Sequence, residues 1–248
     1  MMSIDWFDGK EFTSNFATKR VLIWTPLFQH WADKPIKVLE VGSYEGSSAV
    51  FFARFFPNAE ITCVDTFWNS YEILFDKNIA EFGDRIEKVK GSGIGALDRF
   101  KDERRRFQLI YLDGGKSRDH ALGLALLAWP MLASNGIMMW DDYNWGSNAK
   151  PEQRPHDGID AFLALHRGEY RIRYSGAQMI IQKLTRQQLA KAEAQAKTAK
   201  VRSSSSRAPA NNGQLQLDGS LLAGLRGVWS GSISLSRKAI KRALSSTR

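Results

Sequence analysis

The chain has 248 residues, 43% of them hydrophobic, enough for one buried α/β core with something added. Its single cysteine, Cys63, lies in an apolar run, which excludes a disulfide framework and a cysteine-based zinc site and points to a reducing, cytoplasmic setting. The net charge of +9 sits at the end of the chain, where residues 186–248 hold 12 of the 35 basic and 2 of the 26 acidic residues, so no nucleic-acid groove is expected on the near-neutral remainder.

Residues 1–12 alternate charged and apolar side chains and have no signal-peptide core. The segment 1–34 is expected to be a helical cap that helps to build a substrate pocket. From residue 36, β-rich runs alternate with helical patterns. Ile36 to Val41 predicts a buried strand stopped by Gly42, and Ser48 to Phe56 a helix stopped by Pro57-Asn58. Glu60 to Asp65 is a second strand, residues 70–82 a helix closed by Gly83, and Arg85 to Lys90 a third strand. A helix over 93–102 leads to strand four, Phe107 to Asp113. Asp119 to Leu132 is a helix too short, with its turn, for the ~20 apolar residues of a membrane span. Gly136 to Asp141 is strand five, Gly158 to His166 a helix, and Tyr170 to Tyr174 and Gln178 to Leu184 two final strands. This order predicts a single Rossmann-like, doubly wound, mostly parallel seven-stranded sheet over residues 35–184, with every strand-end loop on one edge.

After Leu184 the sequence turns basic. Residues 186–200 are helix-prone, Ser203 to Ser206 and Pro209 to Gly213 read as a linker, and Leu221 to Leu244 places Trp229, Ile233, Ile240 and Leu244 on one helical face. This tail, 185–248, is either a disordered basic segment or a helix for an anionic membrane surface or an acidic partner.

Chemistry gathers at the strand ends. Glu40-Val-Gly42-Ser43-Tyr44-Glu45-Gly46-Ser47-Ser48 follows strand one and opens a helix; its glycines are spaced Gly-x-x-x-Gly, not the Gly-x-Gly-x-x-Gly of a pyrophosphate cradle. The acidic Glu40 suits an amine-bearing ligand better than a phosphate. Asp65, ending strand two, can accept both ribose hydroxyls of a nucleoside, in either a nicotinamide or a sulfonium cofactor. Asp113 ends strand four and Asp141-Asp142 end strand five. Three carboxylates on adjacent strand ends repel one another, and a hard divalent cation resolves that repulsion. Trp68, Tyr143 and Trp145 could wall a substrate or simply pack their loops, whereas His30, His156 and His166 have no partner pattern.

Glu-x-Gly-x-Tyr-x-Gly-x-Ser from Glu40, Asp65, Asp113-x-x-Lys116 and Asp141-Asp142 resemble the metal-dependent O-methyltransferases of the catechol O-methyltransferase type, within class I S-adenosylmethionine (SAM) methyltransferases. Residues 38–184 also resemble a bacterial family of small SAM methyltransferases in which strand five ends in Asp-Asp-Tyr, here Asp141-Asp142-Tyr143. The resemblance implies that Glu40, Gly42, Ser43, Tyr44, Gly46 and Ser48 line the methionine end of SAM. It also implies that Asp65 holds the ribose, that Ser92 and Asp113 border the cofactor, that Asp113, Asp141 and Asp142 bind Mg²⁺ or another divalent ion, and that Lys116 is the catalytic base. Where many bacterial relatives read Gly-Ser-His-x-Tyr after the strand-four Asp, this chain reads Gly114-Gly115-Lys116-Ser117-Arg118, with His120 one helical turn beyond. The expected activity is methylation of a hydroxyl on a small molecule or sugar. A nicotinamide-dependent oxidoreductase and a catalytically degenerate SAM-fold scaffold remain the alternatives.

Overall fold

The computed structural model describes residues 5–68 and 70–205. Its strands are β1 (Lys37–Val41), β2 (Glu60–Asp65), β3 (Ile86–Lys90), β4 (Phe107–Leu112), β5 (Leu132–Trp140), β6 (Tyr170–Ser175) and β7 (Met179–Lys183). They form one seven-stranded sheet in the order β3-β2-β1-β4-β5-β7-β6. The first five strands pair in parallel; β7 runs antiparallel to both β5 and β6. The predicted doubly wound sheet is therefore present, and the C-terminal ends of β1, β2, β4 and β5 open onto one edge.

Alternation along each strand sends side chains to two buried layers. Val38, Cys63, Tyr111 and Met139 face a layer made by α1 (Val21–Phe28), α2 (Ser47–Phe55) and α3 (Ser70–Ile79), through Trp24, Phe28, Phe51, Phe52 and Phe75. Leu39, Ile110, Leu112 and Trp140 face the other layer, where α4 (Gly93–Asp102), α5 (Arg118–Ala128) and α6 (Pro155–Leu165) contribute Leu97, Phe100, Leu124 and Phe162. Trp24 stacks on Phe52 at 5.2 Å and meets Tyr111 edge-on at 5.4 Å, so the N-terminal helix is a full member of the first layer.

Three expectations are corrected. The helix over 70–82 ends at Ile79, and short 3₁₀ turns follow over Ala80–Arg85, kinked at Gly83 with φ +54°. The helix expected to run to Leu132 stops at Ala128, and Leu132 already belongs to β5. The helix after the sheet, α7 (Arg186–Ser205), runs through Ser203, Ser204 and Ser205, which composition assigned to a linker. The rest of that linker and the apolar face within Leu221–Leu244 lie outside the described residues. Among the described residues, no helix is long and apolar enough to cross a membrane.

Candidate active site

The loop after β1 approaches the end of β4 so closely that only glycine fits its first position. Gly42 has φ +94°, and a Cβ there would stand 2.5 Å from the Asp113 carbonyl oxygen. Tyr44 follows at φ 48°, a conformation unusual for a side-chain-bearing residue. It is held there by Asp65, whose Oδ2 accepts the Tyr44 N–H at 2.9 Å. The other oxygen, Oδ1, accepts from Phe67 N at 3.0 Å and Thr66 Oγ1 at 3.2 Å. A carboxylate offers about four acceptor positions, so Asp65 retains about one, enough for one ribose hydroxyl but not the pair.

Glu40 is fully buried on β1, opposite Cys63 of β2 and Tyr111 of β4. Cys63 Sγ donates to Glu40 Oε2 at 3.4 Å, whereas Glu40 Oε1 and the nearby Ser43 Oγ have no hydrogen-bond partner among the described residues. Burial pushes the Glu40 carboxyl up to about 7. Such a group is divided between its neutral and ionised forms near neutral pH, and a cation that settles nearby favours the ionised one. Glu40, Asp65 and Asp113 thus give the loop an acidic surround, and the loop amide a phosphate would seek already serves Asp65. This donor set fits the ammonium, sulfonium and ribose of SAM. Ser92 caps α4 by accepting from Gly95 N at 3.1 Å, which leaves its hydroxyl proton available. Ser48 and Gly46 belong to the start of α2, Gly46 as its left-handed cap residue.

Asp113, Asp141 and Asp142 do converge. One oxygen from each lies within 4.8 Å of the others, inside the span that ligands at roughly 2.0–2.6 Å from a shared ion allow. Burial, with Asp141 and Asp142 adding repulsion, holds the Asp113 carboxyl well above the usual range, and Tyr111 Oη donates to its Oδ2 at 3.4 Å. Burial also raises Asp142, although Lys116 opposes this from 3.6 Å. Three hard oxygen donors at this spacing fit a divalent cation.

Lys116 is half-exposed, between Asp142 and the Trp145 ring, whose centroid is 5.3 Å from Nζ. His120 packs against Gly115, where an added Cβ would fall 2.4 Å from the imidazole, so the ring fills the space beside this loop. Tyr143 donates to Asp160 of α6 at 2.7 Å, while Trp68 and Trp145 remain exposed.

Several contributors were not legible in the motifs. Arg20, preceding α1, reaches Asp141 with Nε at 2.9 Å from Oδ1 and Nη2 at 3.3 Å from Oδ2. Gln178, preceding β7, donates to Asp141 Oδ1 at 2.6 Å and accepts from Trp24 Nε1 at 3.0 Å. Glu45 accepts from Thr13 N and Oγ1 at 2.7 and 2.5 Å, and buried Asn78 joins Glu11 to the Glu45 carbonyl. These bonds fasten residues 10–13 beside the glycine loop. The only sequence signal was spacing: Arg20, Trp24 and Phe28 recur every four residues.

Residues 39–143 match the model of a methyltransferase domain. No curated protein matches the chain in sequence. Among solved structures, it is similar to an O-methyltransferase from Bacillus cereus in complex with SAH, with 16% identity over 72% of this chain and 84% of that one and a TM-score of 0.56. It is also similar to the MycE methyltransferase of the mycinamycin biosynthetic pathway in complex with Mg, SAH and mycinamycin VI, with 18% identity, 73% of this chain covered and a TM-score of 0.54. The chain spans about half of that enzyme, 52% of its length. At these identities the likenesses show the fold. The chain has the class I methyltransferase fold, in agreement with the resemblance found in its sequence.

Proposed function

We propose that this protein transfers the methyl group of SAM to a hydroxyl of a small molecule or sugar. The observation that carries the reading is the Tyr44 N–H held by Asp65 at 2.9 Å, in a loop flanked by buried Glu40 and by Asp113. A nicotinamide dinucleotide would bring its pyrophosphate to a loop amide already taken and to the Asp65 carboxylate, which repels it. A cationic nucleoside meets favourable charge at the same place.

SAM supplies an activated methyl on a sulfonium, so the protein's part is alignment and charge. Asp65 accepts from one ribose hydroxyl, while Ser43, Tyr44, Gly46 and Ser48 border the methionine end and Ser92 the base. Glu40, ionised under the bound cation, supplies the counter-charge. Lys116, 3.6 Å from Asp142, is the group placed to receive the proton of the acceptor hydroxyl as the oxygen attacks. Asp113, Asp141 and Asp142 are the residues that would hold Mg²⁺ or a similar ion, which would orient the acceptor oxygen and ease its ionisation. A cytoplasmic setting accords with Cys63 as a buried free thiol.

The experiment is incubation of the full chain with methyl-labelled SAM and fractionated small-molecule extract, followed by mass spectrometry. An acceptor gaining one labelled methyl on oxygen supports the reading. Methyl transfer to nitrogen or carbon only would confine it to the broader class, and binding of NAD without SAM would replace it.

A further inference from the structure

Arg20 lies outside the segment matched to the methyltransferase domain, and yet it makes the shorter of the two ion pairs to the carboxylate cluster, 2.9 Å against 3.6 Å for Lys116. Its guanidinium takes both oxygens of Asp141, and the pair is partly desolvated, with side-chain exposures of 23% and 12%. Salt screens such a pair far less than a surface one. Gln178 also donates to Asp141 Oδ1 and is fixed in turn by Trp24. Asp141 is thus oriented by a neutral partner, and the charge of Arg20 is additional to that task. Oδ1 is saturated by Arg20 Nε and Gln178, which leaves Oδ2 as the only oxygen of Asp141 with acceptor capacity, already facing Nη2.

We propose that Arg20 is a cationic latch that sets metal occupancy of the site: its guanidinium and a divalent ion compete for Asp141, so that loading the ion loosens the N-terminal segment. The proposal rests on the reading of Asp113, Asp141 and Asp142 as a cation site. A dication on Asp141 Oδ2 would stand beside a positive guanidinium with little water between them, and like charges at that range oppose strongly. Relief comes through movement of Arg20, because the aspartates are fixed by strand ends. Arg20 is followed at helical spacing by Trp24 and Phe28, which pack in the first core layer, so its release is transmitted to α1. Lys116 differs in kind: it is half-exposed and faces Asp142 at a longer distance.

The test uses the full chain, with Mn²⁺ as the probe and neither SAM nor acceptor present. Free Mn²⁺ is followed by electron paramagnetic resonance for the wild type, Arg20→Gln and Arg20→Lys. The latch predicts that Arg20→Gln binds Mn²⁺ at least about tenfold tighter than wild type and that Arg20→Lys stays near wild type. Equal or weaker binding by Arg20→Gln would mean that Arg20 only orients Asp141, and it would overturn the proposal; so would failure of both proteins to bind Mn²⁺. If Arg20→Gln does not fold, amide hydrogen exchange on the wild type decides. Saturating Mn²⁺ should speed exchange over residues 17–28, and unchanged exchange overturns the latch. SAM calorimetry on the same samples keeps the two readings apart: absence of SAM binding counts against the methyltransferase, while the Mn²⁺ comparison stands by itself.

Discussion

At Glu40 the protein keeps a carboxyl in a dry place with one oxygen unpartnered among the described residues, and burial lifts it to about 7. A bound cation pulls that value down, so SAM binding should release a proton below pH 7, and affinity should rise with pH until it levels off above 7. For stability the sign is opposite. The folded state holds the Glu40 proton more tightly than the unfolded chain, so this contribution is present below about 4.5, the ordinary carboxyl value, and is lost as pH rises through about 7. Calorimetry at pH 6.5 in two buffers of different ionisation enthalpy measures the released proton. Glu40→Gln should abolish the release and weaken SAM binding at least tenfold, about 1.4 kcal/mol. Lys116→Met should behave differently. It should lower turnover yet leave SAM affinity unchanged, because a base acts mainly in the transition state.

Between elements, close approach decides the packing. Gly158 lets α6 lie against α5: a Cβ there would fall 2.0 Å from the Arg118 carbonyl oxygen. Gly158→Ala should therefore separate the two helices and cost roughly 1–3 kcal/mol in urea unfolding. Asn78→Ala should cost about as much for another reason, since it leaves the buried Glu45 carbonyl unpaired and cuts both part-buried bonds to the Glu11 backbone. Which elements could be read from the sequence follows from the same physics. Glu60–Asp65 was legible to the residue because an apolar run ended in a carboxylate, and Gly42, Asp65, Asp113 and Asp141 were legible because strand ends on one sheet edge must meet. Arg20 and Gln178 were not, because their partner Asp141 lies 121 and 37 residues away and no local pattern encodes such a contact. Ser203–Ser205 were misread because serine favours linkers by composition, whereas here it continues the helix that begins at Arg186.

The whole molecule divides its charge, with 12 basic residues after residue 185 and a nearly neutral sheet domain before them. A cluster such as Arg237, Lys238, Lys241 and Arg242 is attracted to anionic lipid by about 1 kcal/mol per charge, and the attraction falls within a Debye length. We expect the full chain to sediment with phosphatidylserine liposomes at low salt. Changing those four residues to glutamine should release it, and equal sedimentation of both proteins would remove the surface role. Cofactor identity is decided by the sheet edge as a whole, where Glu40, Asp65 and the Asp113–Asp142 cluster follow or end neighbouring strands. Isothermal titration of the full chain with SAM, and separately with NAD, tests it most directly. Micromolar SAM binding with no heat from NAD is expected; saturable NAD binding without SAM binding, or neither, would contradict a SAM site at this sheet edge.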